Sequence, residues 1–260
     1  MSAASTYRWH DGALQLLDYC DPAETAIVAA DSWLVRDGSV LGIDLHRSRF
    51  LEAAAHSADA SSFWTAAIAA IPLTGDWFPR VELQLRNEGL QFVFRLREAP
   101  EPRRSLVLAT HNGPDPRRSP TIKGPDTDAL LAARTTVQQL GADEAVILSP
   151  DGYVVEGAYS AVLWWRGDAL CTPSPELARV DSVTARSVIT LATALGIDVL
   201  YESVTPADLD GLEIWALSAL HGIRIVTGWI DGPAPAELPG RLGVWRARLD
   251  RLRRPLPVAA

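Results

Sequence analysis

The sequence predicts an α+β protein of two domains, because a proline-rich segment divides a chain in which short strands alternate with a few helices. That segment is 112–120, NGPDPRRSP, and it contains one glycine and three prolines. Proline interrupts helices and interior strands, so we predict a linker here. It separates a small N-terminal α+β domain, residues 1–111, from a larger C-terminal domain, residues 121–260.

The first domain is predicted to have a mainly antiparallel sheet with helices. Residues 25–40 resemble strands that turn at Asp37-Gly38, a dipeptide typical of hairpins. Residues 45–55 and 62–71 have helical spacing, and residues 80–97 alternate polar and apolar side chains as a strand pair does.

The second domain is predicted to pack short strands around a few helices, as a sandwich or a barrel-like sheet does. One helix covers 126–140 and ends before Gly141, a suitable C-cap. The other predicted helices are 183–195 and, at the chain end, 238–252. The predicted strands are 144–148, 153–157, 161–165, 169–172, 197–202, 213–217 and 223–229.

Composition excludes several classes of partner. The net charge of −8 argues against nucleic acid or an anionic membrane, because both require a basic surface. Cys20 and Cys171 are far apart in the sequence and form no CxxC pair, which indicates a reducing compartment without disulfides. The sequence also has no cluster of residues with the spacing of metal ligands, so we expect no metal site. With no apolar run near the roughly 20 residues that span a bilayer, we expect a soluble cytoplasmic protein that acts on a small molecule.

Lys123 is the only lysine beside 23 arginines. Arginine supplies positive charge equally well but cannot form an imine, so a retained lysine suggests amine chemistry. A compositional drift towards arginine is the alternative explanation. Lys123 directly follows the predicted linker, and ligand clefts often form at domain junctions.

Glu156 ends the apolar strand 153–157. A carboxylate in such a strand is costly to bury unless it meets a positive partner. A protonated ring nitrogen would be such a partner.

Together these segments resemble the pyridoxal-phosphate enzymes of fold type IV, the class IV aminotransferase family. The resemblance rests on "IKGPDTDALLAAR", "GADEAVILSPDGYVVEGAYSAVLWWRGDALCTP", "VTARSVITLA" and "ALSALHGIRIV", and more faintly on "DSWLVRDGSVLGIDLHRSRF". It implies a D-amino acid aminotransferase-like fold with a small N-terminal α/β sandwich and a larger C-terminal barrel-like α+β domain. It also implies a homodimer and pyridoxal 5'-phosphate as cofactor.

The resemblance assigns roles to individual residues. Lys123 looks like the catalytic amine that forms the Schiff base and moves protons, and Glu156 like the partner of the pyridine nitrogen. Arg49 resembles the arginine that binds the phosphate, although a solvated helix residue is the alternative. The remaining cofactor contacts are implied to be Val183, Thr184, Ser218 and Ala219, and the implied substrate contacts are His221 and Arg224.

Three positions depart from the family pattern. Ala161 stands where the family often has asparagine, Ser182 where it often has glycine, and Ser218 where the lyases often have asparagine. These changes leave reaction specificity open. The resemblance favours aminodeoxychorismate lyase, which forms 4-aminobenzoate and pyruvate from an amine substrate. The alternatives are an aminotransferase for branched-chain or D-amino acids, and a degenerate dimeric relative without catalysis.

Overall fold

The computed structural model describes residues 5–17, 25–55 and 57–257, which form two compact units. Each unit has its own sheet and hydrophobic core. The first unit combines Met1–Glu101, Ile122–Pro125 and Leu252–Ala260, and the second combines Pro102–Thr121 and Asp126–Arg251.

The elements are numbered along the chain. The helices are α1 (Ile43–Ala53), α2 (Ala60–Ala69), α3 (Thr127–Gln138), α4 (Val183–Ala194) and α5 (Arg241–Asp250), with one 3-10 turn at Pro206–Leu209. The strands of the first unit are β1 (Ser5–His10), β2 (Ala13–Leu17), β3 (Ala26–Ser32), β4 (Val35–Arg36), β5 (Ser39–Val40), β6 (Asp76–Trp77), β7 (Arg80–Arg86), β8 (Gly89–Leu96) and the final β17 (Arg254–Pro255). Those of the second are β9 (Ser105–Thr110), β10 (Glu144–Leu148), β11 (Val154–Gly157), β12 (Ala161–Arg166), β13 (Ala169–Pro173), β14 (Val199–Glu202), β15 (Glu213–Ser218) and β16 (Gly222–Ile230).

The first unit contains a five-stranded antiparallel sheet in the order β2-β1-β8-β7-β3. The alternating residues 80–97 form the β7–β8 hairpin, as predicted. Asp37 and Gly38 both have positive φ, 41° and 68°, and connect β4 to β5. Side chains of α1, α2 and the sheet form one core, in which the rings of Phe63 and Phe92 stack at 4.7 Å. The mainly antiparallel sheet is confirmed.

The second unit is built on an eight-stranded sheet that curls into a half-barrel, in the order β11-β10-β9-β16-β15-β12-β13-β14. β9 runs parallel to β10 and β16, and β13 runs parallel to β14. The core contains buried Leu108, Val146, Val162 and Trp164. The predicted two-domain α+β class with a barrel-like second sheet is confirmed.

The helices of the second unit follow their sequence signals closely. Ser182 caps α4, because its hydroxyl accepts a hydrogen bond from the Ala185 backbone N–H. Gly141, just beyond α3, has φ of 94°, a conformation that favours glycine. The last helix is shorter than the predicted 238–252, since α5 begins only after Gly240.

The boundary between the two units differs from the predicted linker, residues 112–120. The segment 112–120 has neither helix nor strand, but it lies inside the second unit as an ordered loop. Asp126 orders it by accepting hydrogen bonds from the backbone N–H groups of Arg118 and Ser119, at 3.0 and 2.8 Å. The boundary falls after Glu101 because β9 pairs with strands of the second sheet.

Two further sequence predictions concern cysteine and membranes. Cys171 is a buried free thiol, and Cys20 lies outside the described residues. No helix within 5–17, 25–55 and 57–257 has the length and apolar character needed to cross a membrane.

Candidate active site

Lys123 is half-buried in the first unit. Its carbonyl accepts a hydrogen bond of 2.7 Å from the Ala30 N–H of β3. The next residue, Gly124, has φ of 127°, and a Cβ there would lie 2.7 Å from the Ala30 nitrogen. Glycine is therefore required for this close approach, which places Lys123 beside the strand residue that precedes Asp31.

Asp31 is fully buried and joins two side chains of α1, those of His46 and Arg49. Its carboxylate accepts hydrogen bonds from Arg49 Nε at 2.9 Å and Arg49 Nη2 at 2.7 Å. It also accepts a bond of 2.9 Å from His46 Nδ1. We call Asp31, His46 and Arg49 the Asp31 cluster. A two-point arginine pair of this kind is both strong and directional.

Burial and charge fix the protonation of the cluster. Burial alone would raise the pKa of Asp31, but the charges and hydrogen bonds of Arg49 and His46 outweigh it and hold that pKa well below its usual range. Burial lowers the pKa of His46, and the charges of Arg49 and Lys123 lower it further, against the opposing effect of Asp31. His46 is accordingly a neutral ring that donates from Nδ1. Lys123 is close enough to act electrostatically on this cluster.

The structure places Arg49, the predicted phosphate-binding residue, in this cluster. Asp31 accepts hydrogen bonds from Nε and Nη2 of the guanidinium. The phosphate-binding role stays a prediction. The sequence did not indicate Asp31 as a partner, because 18 residues separate the two and nothing local links them.

Glu156 lies in the second unit, on β11, and its side chain is 9% exposed. Arg117 Nη1 donates to Glu156 Oε1. Arg117 comes from the segment predicted as a linker, and its side chain is only 3% exposed. Sequence reasoning missed this pair, and the arginines of NGPDPRRSP were the available signal.

A second arginine, Arg179, lies close to Glu156. Its guanidinium donates to the carbonyls of Pro173, Ser174 and Leu177, at 2.7 to 2.9 Å. Burial lowers the pKa of Arg179, while the negative charge of Glu156 opposes that shift. The buried carboxylate of Glu156 therefore lies within the electrostatic influence of two guanidinium groups, those of Arg117 and Arg179.

A cavity of about 370 Å³ opens beside Arg179 in the second unit. Thr121, Ala161, Ser182 and Tyr201 are among its lining residues. Sites for small molecules commonly have volumes of about 300–1,000 Å³, so the cavity is large enough for a compact ligand.

Val183 and Thr184 begin α4 and are buried. N–H groups in the first turn of a helix have no acceptor within the helix, and the helix dipole makes this end positive. The end of α4 thus has the chemistry that binds phosphate. Ser182, which replaces the family's common glycine, supplies the cap of this helix.

Ser218 and Ala219 lie at the end of β15, before the turn to β16. The Ser218 hydroxyl accepts a hydrogen bond of 3.3 Å from the His221 backbone N–H. His221 Nδ1 in turn accepts a bond of 3.1 Å from the Arg103 N–H. Both contacts order the loop, and a substrate role for His221 stays a prediction.

Arg224 is buried on β16 opposite Ala216. Its Nη2 lies 3.6 Å from Oε2 of the equally buried Glu144, and its Nε has no hydrogen-bond partner among the residues that the structure describes. Burial raises the pKa of Glu144, and the charge of Arg224 acts in the opposite direction. Arg224 is thus a buried cation with an unused donor, which suits the binding of a carboxylate.

Low pH is expected to destabilise the protein through His221. Burial and the charge of Arg224 lower the pKa of His221 to about 4, against about 6.5 in an unfolded chain. Between about pH 4 and 6.5 the His221 ring is protonated in the unfolded state but not in the folded state. The contribution of the neutral ring to the free energy of unfolding is therefore complete above about pH 6.5 and is lost as the pH falls towards about 4. We expect a loss of about 1 kcal/mol at pH 5, because solvent screens a partly exposed ring.

Urea denaturation at pH 7 and pH 5 measures this loss. His221→Gln, which has no group that titrates in this range, is expected to show a smaller difference between the two pH values, and His46, whose pKa is also lowered, contributes to the difference that remains. An equal difference in wild type and variant would contradict the assignment to His221.

Lys123 and Arg49 both lie in the first unit, where both act electrostatically on His46, and the other predicted site residues lie in the second. Ala161, where the family often has asparagine, pairs with Leu217 and lines the cavity. Among the described residues, no group of histidine, cysteine and carboxylate side chains has the arrangement of a metal site.

Comparison with known proteins adds to this geometry. A fold IV transaminase from Curtobacterium pusillum is 18% identical, with a TM-score of 0.78 over 95% of this chain and 97% of the other. A branched-chain aminotransferase from Thermoproteus uzoniensis is also 18% identical, with a TM-score of 0.81 over 97% and 100%. A proposed 4-amino-4-deoxychorismate lyase from Legionella pneumophila is 15% identical, with a TM-score of 0.72 over 88% and 91%. At these identities the structures show the fold.

The family is shown by the sequence itself. No curated protein matches the chain. The profile of amino-transferase class IV, however, matches residues 29–229, which include Lys123, Glu156 and both phosphate-binding candidates, Arg49 and the start of α4. The chain therefore belongs to the class IV aminotransferase family, and it is a pyridoxal-phosphate-dependent enzyme of fold type IV.

Proposed function

We propose that the protein is a lyase that converts 4-amino-4-deoxychorismate to 4-aminobenzoate and pyruvate. The main support for a reaction through a primary amine is Lys123, the single lysine, which is half-buried near the Asp31 cluster. The choice of a lyase is supported by the resemblance of segments 141–156, 163–173 and 219–224 to lyase sequences.

The residues present fit the cofactor. Glu156 is a buried carboxylate that accepts a hydrogen bond from Arg117, and the two oxygens of a carboxylate can accept several hydrogen bonds, so its chemistry matches a pyridine N–H. The first turn of α4, with Val183 and Thr184, suits the phosphate, and Arg49, Ser218 and Ala219 are the further contacts that the resemblance implies. When bound through Lys123, the cofactor supplies an electron sink.

Lys123 is the group that takes and returns the proton in this proposal. An ammonium must lose its proton to act as a base, and a nearby unpaired carboxylate would oppose that loss. Here the only carboxylate of the Asp31 cluster is paired with Arg49, and His46 is neutral, so the cluster carries no net charge. Proton transfer by a positioned group typically accelerates a reaction by about 10²–10⁴-fold.

His221 and Arg224 are proposed to contact the substrate. The buried guanidinium of Arg224, with its unpartnered Nε, matches a carboxylate of the amine substrate. We also propose a homodimer, as the resemblance implies.

The second candidate is an aminotransferase acting on branched-chain or D-amino acids, which the matching family profile favours. The two reactions differ in what they consume. The lyase reaction divides one substrate into two products and needs no co-substrate, whereas amino transfer needs a keto acid as acceptor.

This difference defines the test of the proposed function. We expect purified protein with pyridoxal phosphate to release equal amounts of 4-aminobenzoate and pyruvate from 4-amino-4-deoxychorismate, without a keto acid, as measured by chromatography. Amino transfer that depends on 2-oxoglutarate or pyruvate, without 4-aminobenzoate, would establish the aminotransferase instead. Protein that binds no cofactor would support the degenerate relative.

A further inference from the structure

Arg117 is held in place by Asp115. The carboxylate of Asp115 accepts hydrogen bonds from Arg117 Nη2 at 2.7 Å and from Nε and the backbone N–H at 2.9 Å each. These bonds and the charge of Arg117 lower the pKa of Asp115 although burial opposes this. Because the carboxylate holds both the side chain and its own backbone, the guanidinium has little freedom to move.

The remaining edge of the same guanidinium reaches Glu156. Arg117 Nη1 donates to Glu156 Oε1, and both side chains are more than nine-tenths buried. A buried ion pair of this kind costs desolvation energy, which good geometry and further hydrogen bonds must offset. Asp115 provides them, so the arrangement is a fixed chain of three charges, Asp115, Arg117 and Glu156.

We propose that Arg117 is a positioning residue, which orients the Glu156 carboxylate and keeps it ionised for the ring nitrogen of the cofactor. The inference rests on the proposed cofactor role of Glu156. A glutamate has several rotatable bonds, and one oxygen fixed by an immobile donor determines where the other oxygen points. A positive charge within hydrogen-bond distance also favours the charged form of a carboxylate.

A purely structural role is the competing explanation, in which Arg117 only ties the loop 112–120 to β11. That role affects stability at every pH alike. A positioning role predicts a change in how cofactor affinity depends on pH, because the loss of Arg117 makes Glu156 easier to protonate.

The experiment compares Arg117→Gln with Arg118→Gln, a matched control that removes the same charge from the adjacent exposed residue. Binding of pyridoxal phosphate to the apo protein is measured between pH 5 and 9 by quenching of tryptophan fluorescence. We expect Arg117→Gln to weaken binding at least about tenfold, as the loss of a hydrogen bond to a charged group does. Its affinity should also begin to fall at a higher pH than that of wild type or Arg118→Gln.

Arg117→Lys provides the second variant. It keeps the charge but cannot bond Asp115 and Glu156 through a planar fork. We expect weaker binding with a pH dependence close to that of wild type, and this variant tests the charge separately if Arg117→Gln does not fold.

The experiment distinguishes failure of the proposed role of Arg117 from failure of the proposed function. If wild type binds the cofactor and the pH profiles of Arg117→Gln and Arg118→Gln coincide, the positioning role is overturned while the proposed function stands. If wild type binds no pyridoxal phosphate, the proposed function is overturned, and the role of Arg117 with it.

Discussion

Lys123→Arg is expected to abolish activity, with a loss of at least about 10²–10⁴-fold from proton transfer alone. Arginine retains the positive charge, so contacts that depend only on charge survive. It cannot form an imine, and its guanidinium does not lose a proton in proteins. The substitution therefore separates the chemistry of the amine from its electrostatic effect on His46.

Borohydride reduction followed by mass spectrometry measures the covalent step directly. Reduction fixes the imine between an amine and pyridoxal phosphate as a permanent adduct. Because Lys123 is the only lysine, an adduct on this chain can form only there or at the amino terminus. We expect one adduct in wild type, mapped to the peptide that contains Lys123, and none at that position in Lys123→Arg.

The matched control is Arg118→Lys, which introduces a lysine five positions away at an exposed site. We expect no stable adduct there, since a solvated amine lacks the contacts that retain the cofactor. An adduct confined to the amino terminus of wild type, or full activity in Lys123→Arg, would refute the assignment of Lys123.

Local signals predicted most elements of the fold. The hairpin at Asp37-Gly38 and the strands on either side of residue 87 depend on neighbouring residues, and both were predicted correctly. The strands β1 and β2 were missed, although Asp11 and Gly12, with positive φ, mark their turn. The boundary between the units depends on the pairing of β9 with distant strands, which no local pattern shows.

For the candidate site too, the sequence indicates individual residues but not the partners that they contact in the fold. Lys123 and Glu156 could be proposed as site residues from the sequence, because an isolated amine and a carboxylate in an apolar strand are unusual in themselves. The partners of these residues could not be predicted, because Arg117 and Glu156 are 39 residues apart in the sequence and Asp31 and Arg49 are 18 apart. Sequence spacing cannot reveal pairs that only the folded sheets bring together.

Asp31→Asn is expected to destabilise the protein by about 3–5 kcal/mol, the usual cost of removing one partner of a buried ion pair. Asparagine keeps the shape of the side chain but removes its charge, so Arg49, whose side chain is 16% exposed, is left without its anion. His46 also loses the acceptor of its Nδ1–H. Guanidinium chloride denaturation at pH 7 measures the difference.

The pH dependence of the difference in the free energy of unfolding between wild type and Asp31→Asn shows whether the ionised carboxylate is its cause. The folded pKa of Asp31 is held below its unfolded value of about 3.9, so the stability it contributes is complete above that value and is lost as the pH falls through the folded pKa. The gap between wild type and Asp31→Asn should therefore stay constant from pH 7 to about 5 and narrow only in stronger acid. Asp44→Asn, which removes the same charge from an exposed position in α1, should cost no more than about 1 kcal/mol. If Asp31→Asn costs as little as this control, the Asp31 cluster does not stabilise the first unit, and the electrostatic argument for Lys123 loses its basis.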